Sequence, residues 1–347
     1  MNRACVSFVL TLMSVCCAVG QTAGQTAAPA AAQKATGKGE SYVPPKTPWG
    51  DPDLQGLWPN QQDIPLERDR SLGTQLYLTD EQAKANQARI DKKKAADEAF
   101  EGDGHIGFGA PPYWIEYGPA GRQSSLIVDP PDGRLPPLTA DAIARRKGQK
   151  VPAARDRPED IKSPADFDYY DRCISRGILG SVRRAIYNNG NQILQEPGYV
   201  IIRHEMIHEA RIIPLDGRPH VNEKIRLYMG NSRGHWEGNT LVVETTNINS
   251  KIPIFQAGSN IDGSHTDRAH LVERFKRIAP DQLRYELTVD DPDTWTRPWT
   301  VRVPLAAEPT YQLYEYGCHE ANYSQMNVLQ GNQLQAKEDT EHKGEKK

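Results

Sequence analysis

The sequence predicts a mainly β fold: an antiparallel β-barrel wrapped by an irregular N-terminal segment with two short helices. Three observations predict it. Between residues 190 and 325, short runs of alternating apolar and polar residues recur, and that period puts every second side chain on one face of a strand. The connectors "EPG", "LDGRP", "WEGN" and "APDQ" place Gly, Pro, Asn and Asp where tight turns need them. No helical stretch separates the runs, so neighbouring strands pair antiparallel rather than through βαβ crossovers.

The elements follow in order. Residues 1–20 read as a secretory signal. Arg3 supplies the positive end, residues 6–15 the apolar run, and Ala18, Val19 and Gly20 a small-x-small cleavage site. The run is too short to span a bilayer. A lipoprotein signal at Cys16 or Cys17 is the rival, and "MSVC" matches it poorly. The expected location is therefore periplasmic or secreted. Residues 21–47, rich in Ala, Gln, Thr, Gly and Lys, read as a flexible leader. Residues 48–184 are rich in Pro, Gly and charge and form the wrap. One helix is predicted at 79–100, where Thr79 and Gln82 make a capping box. A second is predicted at 163–177, with Ser163 as cap, Pro164 in the first turn and Gly177 at the end. Phe167, Tyr170, Cys173 and Ile174 share one of its faces. The barrel spans 185–325, with strands near 191–196, 199–206, 208–214, 224–230, 240–247, 269–277, 282–290, 299–305 and 310–318. The polar tail 326–347 is expected to be disordered.

Composition narrows the function. Removing the signal takes Cys5, Cys16 and Cys17, and leaves Cys173 and Cys318. Two cysteines in an exported chain predict one disulfide; two separate buried thiols are the alternative. The formal net charge is -3 with no basic block, which argues against a nucleic-acid partner. No apolar run after the signal is long enough for a membrane span. "GDGHIG" at 102–107 fits GxGxxG, but a charged helical segment precedes it and "APP" follows, so it reads as a loop and not a dinucleotide site. No cofactor is expected.

"VIIRHEMIHEARIIPL" (200–215) contains the HExxH pattern of zinc peptidases. That chemistry needs a helix. The segment lies between Pro197-Gly198 and Pro214 and is dense in Val and Ile, which favours strand. Alternation then puts Val200, Ile202, His204, Met206, His208, Ala210 and Ile212 on one face. On a strand His204 and His208 stand about 13 Å apart, too far to share a zinc that needs each nitrogen within about 2.1 Å. No metal is expected.

Two histidines on an apolar face are the best catalytic lead. A carboxylate in "AHLVERF" adds to it: Glu273 falls between Leu271 and Phe275 on an inward face, where burial is costly without a partner. Its bland role is a pair with an arginine; its functional role is acid–base work at a raised pKa. The expected pair is Glu273 as base and His208 as acid. His204, Thr245, Asn247, Trp295 and Arg297 are candidate substrate contacts. His319 and Arg176 join them at one barrel mouth if the disulfide ties helix 163–177 over it.

"SLIVDPPDGRLPPLT", "DRCISRG", "MIHEARIIPLDGRPH", "SRGHWEGNTLVVETTN" and "DPDTWTRPWT" together resemble a family of exported bacterial proteins of uncharacterised function, frequent in soil bacteria. The resemblance covers roughly 49–325. It implies export and a single architecture, and its pattern centres on "EMIH" without a fixed histidine at His204. The strand pattern also looks like lipocalin-type barrels, an analogy of shape alone. The reading is an exported acid–base enzyme, a lyase or hydrolase of a small polar or ring-bearing molecule such as a sugar derivative. The alternative is a non-catalytic lipocalin-type binder, and a minor alternative is a zinc peptidase through His204, Glu205 and His208.

Overall fold

In a computed structural model of the chain, period-two burial builds the fold. The structure describes residues 42–100, 114–148, 161–255, 265–320 and 322–344. The predicted signal, most of the leader and the 102–107 loop lie outside the described residues. The strands are β1 (Gly56–Leu57), β2 (Ile127–Asp129), β3 (Asn191–Glu196), β4 (Tyr199–His204), β5 (Ala210–Pro214), β6 (Asn231–Glu237), β7 (Thr240–Thr246), β8 (His270–Ala279), β9 (Gln282–Asp290) and β10 (Trp299–Ala306). Burial alternates along β9 and β10 without a break.

The strands form two antiparallel sheets. One has four strands in the order β1-β3-β4-β5; the other has six in the order β2-β10-β9-β8-β7-β6. The fold is thus mainly β and antiparallel, as expected, and among the described residues neither sheet closes into a barrel. Ile193, Val200, Ile202 and Ile213 from the smaller sheet share one core cluster with Leu241, Leu271, Tyr285, Val301 and Val303 from the larger. Gly234 on β6 permits a close approach: a Cβ there would lie 2.6 Å from Leu215 and 3.0 Å from Ile213. All described residues belong to one compact unit, Lys38–Lys347.

The α-helices among them are α1 (Asp80–Glu98), α2 (Ala140–Gly148), α3 (Ile178–Val182) and α4 (Tyr323–Gly344). Thr79 and Gln82 cap α1 with the reciprocal bonds the sequence predicts. No helix among the described residues is long and apolar enough to cross a membrane.

Five expectations need correction. Residues 163–177 do not form a helix: after a single 3-10 turn at Pro164–Asp166 the chain coils, and Cys173 takes a left-handed φ of 57°. That coil brings Cys173 to Cys318, and the two are disulfide-bonded with Cα atoms 5.9 Å apart. Residues 224–230 are not a strand, because the Asn247 side chain amide holds the carbonyls of Asn222 and Ile225 at 2.9 and 3.0 Å and folds the segment into turns. Residues 231–237, which lie outside every predicted strand, form strand β6, paired along its length with β7. Residues 310–318 are a coiled strap with no ladder. The tail expected to be disordered carries α4.

Candidate functional site: the 205–209 turn

HEMIH is neither a helix nor one continuous strand. His204 ends β4, Met206–His208 make a 3-10 turn, and β5 starts at Ala210. Ile207 and His208 have φ of 63° and 48°. A β-branched residue in the left-handed region is a strained outlier, a state that persists where surrounding structure over-determines it. The turn also shifts the alternation by one. Before it, even-numbered residues point inward (Val200, Ile202, His204); after it, Arg211 and Ile213 are buried while Ala210 and Ile212 are exposed. His208 therefore faces solvent.

Glu205 holds the turn in place. It is buried, and its carboxylate accepts from Asn188 Nδ2 (3.0 Å), Gly190 N (3.0 Å), Tyr311 Oη (2.6 Å) and Tyr314 N (2.9 Å). Gly190 is required there, since a Cβ would fall 2.6 Å from Glu205 Oε2. Two more ties reach the 310–318 strap: His208 Nδ1 lies 3.1 Å from the Tyr316 carbonyl, and the disulfide follows at Cys318. The helical geometry on which HExxH binds zinc is absent: its glutamate is spent on four donors, and its histidines differ in burial.

His204 is fully buried. Asn191 donates its amide to the carbonyls of Trp58 and Asn189, so its Oδ1 faces the ring and accepts from His204 Nδ1 at 2.8 Å. Burial first, then Arg211 and Arg176, push the imidazole pKa from 6.5 down to about 3. The ring is neutral, and Nε2 has no partner among the described residues.

Glu209 closes the turn and is half-buried. Burial raises its carboxyl pKa from 4.5 to about 7, against the smaller opposing pulls of Ser175 and Arg211. Among the described residues it accepts one side-chain hydrogen bond, from Ser175 Oγ at 3.1 Å. That hydroxyl in turn accepts from Gly177 N at 3.0 Å and lies 3.3 Å from Met229 Sδ. Beside it Tyr170 Oη stands 3.5 Å from Met206 Sδ and 3.4 Å from Tyr316 Oη, with Arg176 5.5 Å over the Tyr170 ring. Burial and then Tyr170 push the Tyr316 phenol well up.

Glu273 belongs to a different place. Arg211 crosses from β5 and grips it with both terminal nitrogens, Nη1 at 2.8 Å from Oε1 and Nη2 on Oε2. Tyr285 Oη donates to Oε1 at 3.1 Å, while Ser232, 2.8 Å from Thr245, takes Arg211 Nη2 at 2.9 Å. Burial alone would lower the Arg211 pKa, but the carboxylate beside it holds it up. The network joins the two sheets and leaves Glu273 no exposed surface.

The sequence-predicted residues thus separate. His208 and Glu273 are not brought together: one is exposed on the turn, the other gripped in the core. Thr245 belongs to the core network and Asn247 to the 222–225 turns. Trp295 is buried edge-on against Trp299 at 5.4 Å, whereas Arg297 is exposed and pairs with Asp129 at 2.8 Å. His319 is exposed, its backbone N–H on Glu320 Oε2. Only His204, His208 and Arg176 lie at the turn. Sequence reasoning missed Ser175 and Glu209 and named Glu205 only as the glutamate of a zinc peptidase, because it ran one alternation through the turn. No family model and no curated protein matches the chain.

Proposed function

We propose that the protein is an exported acid–base enzyme, a lyase or hydrolase of a small polar or ring-bearing molecule, in which Glu209 takes the proton. One observation carries the reading: a half-buried carboxyl on a strained turn, held among the described residues by a single hydroxyl. A carboxyl that titrates near 7 is partly ionised at neutral pH and both accepts and returns a proton. Ser175 orients it from behind. His208, one residue away and exposed, is the second proton carrier; with Nδ1 on the Tyr316 carbonyl, its Nε2 faces outward as acceptor. Export is part of the proposal and agrees with a disulfide closing over the turn. So is membership of the exported bacterial family whose motifs the chain resembles, since "MIHEARIIPLDGRPH" runs through this turn into β5.

Thermal-shift screening of pooled metabolites identifies a ligand by the stabilisation it gives. Turnover of that ligand is then compared in wild type and Glu209→Gln. Retained binding with a loss of about 100-fold or more in rate is expected. Equal rates would remove Glu209 from the chemistry. Binding without turnover in the wild type would make the protein a small-molecule binder instead.

A further inference from the structure

The four-stranded sheet buries one face in the core, and its other face is open. Along β3, β4 and β5 the residues that alternate outward are exposed or half-buried. The strand register lines these residues up in rows across the sheet. The middle row is Leu194, Ile201 and Ile212, with Leu194 41% and Ile212 66% exposed. An antiparallel sheet with one face in water ordinarily carries polar residues there. A continuous apolar row in their place marks an interaction surface.

The flanking rows carry the charge. On one side of the apolar row Arg203 stands between Gln192 and Ala210. On the other side Tyr199 stands between Glu196 and Pro214, and Tyr199 is itself 41% exposed. In a chain with 25% charged residues, the outward face of these three strands thus has a cation at one end and an anion at the other. Among the described residues neither Arg203 nor Glu196 forms an ion pair or a side-chain hydrogen bond.

We propose that this face docks a second copy of the chain, about a two-fold axis that runs along the Leu194–Ile201–Ile212 row. Such an axis reverses the strand direction and lays the apolar row over its own copy. It also lays the Arg203 row of one protomer over the Glu196 row of the other. Arg203 then falls beside Glu196 of the second copy, and Glu196 beside its Arg203, the reciprocal pairing of a two-fold interface. An axis along the strands would instead set Arg203 over Arg203, and like charges repel. The two charges therefore select one orientation, and a second copy supplies both opposite charges where they are needed. Sheets pack face to face about 10 Å apart, a gap that an Arg and a Glu side chain bridge together. The face is smaller than the roughly 20–30 residues a side of a standard interface, so the dimer is weak and forms with concentration. The inference stands apart from the reading of the 205–209 turn.

The test is sedimentation of the purified protein from about 10 μM to 1 mM, a range suited to an interface below standard size. The wild type should pass from monomer to dimer. Ile212→Glu should weaken association about tenfold or more. Arg203→Glu sets carboxylates side by side across the axis and should weaken it likewise. Arg203→Glu with Glu196→Arg exchanges the charges and should restore the dimer. These side chains lie on the outer face, so an unchanged melting temperature in dilute solution checks that the variants fold. A wild type that stays monomeric would overturn the proposal and leave the face to a different protein. A dimer undiminished in Ile212→Glu, or a double variant no better than Arg203→Glu, would overturn it as well.

Discussion

Glu273 and Glu209 are carboxyl groups served by the same strand, β5, and they are built in opposite ways. Glu273 is wholly buried, takes both terminal nitrogens of Arg211 and a phenol, and is cross-braced by Ser232 and Thr245. Glu209 lies two residues before Arg211, at the edge of the same interior, and among the described residues it has one hydroxyl. A buried ion whose lone pairs are filled is held in place by its partners. A partly buried carboxyl with one partner is free to change state near neutrality. The chemically available group is thus the less satisfied one.

The largest expected effect tests the saturated side. Arg211→Met leaves Glu273 buried without its cation and should cost about 3–5 kcal/mol, read as a drop in the denaturant midpoint. Arg211→Met with Glu273→Leu should recover most of that loss, since an apolar pair carries no stranded charge. A single variant as stable as wild type would deny the network its structural role. The next effect is at Glu205, as saturated as Glu273 but on the turn. Glu205→Gln sets an amide N–H against donors and should cost about 2 kcal/mol, and hydrogen exchange should show the loss concentrated in the 205–209 turn and the 310–318 strap. Loss spread evenly over β8–β10 would mean that Glu205 does not act locally.

Opposite in sign, and partly cancelling, are the pH slopes. Between pH 4.5 and about 7 the folded state holds a proton on Glu209 that the unfolded chain has released, so this group's contribution to stability falls as pH rises. Between pH 3 and 6.5 the unfolded chain protonates His204 and the folded state does not, so its contribution rises with pH. The two oppose each other where they overlap. Glu209→Gln should unmask a steeper gain in stability from pH 4.5 to 6.5, measured by chemical denaturation at each pH. An unaltered slope would place the Glu209 pKa near its ordinary value.

The same contrast explains what was legible in the sequence. β8, β9 and β10 were readable because Leu271, Glu273 and Phe275, then Leu283, Tyr285 and Leu287, alternate with polar residues over long runs, and a single period dominates. The capping box of α1 was readable because Thr79 and Gln82 act locally. The site was not, because its geometry runs against local preference. Nothing in Ile207 announces a left-handed backbone, and that one reversal moved Arg211 from the predicted outer face to the core and His208 from the inner face to solvent. β6 was hidden by its polar composition, with Gly234 chosen for close approach to β5. The coil at 169–177 was hidden because Cys173 bends to reach a partner 145 residues away.

The central claim is that proton transfer belongs to the Glu209 turn and not to the core carboxylate. A 13C-carboxyl NMR titration tests it most directly and needs no substrate. Spectra of uniformly labelled wild type and Glu209→Gln identify the Glu209 resonance by difference. The account predicts a midpoint near 7, moved higher in Ser175→Ala because the hydroxyl stabilises the ionised form. A Glu209 midpoint near 4.5, unmoved by Ser175→Ala, would contradict it.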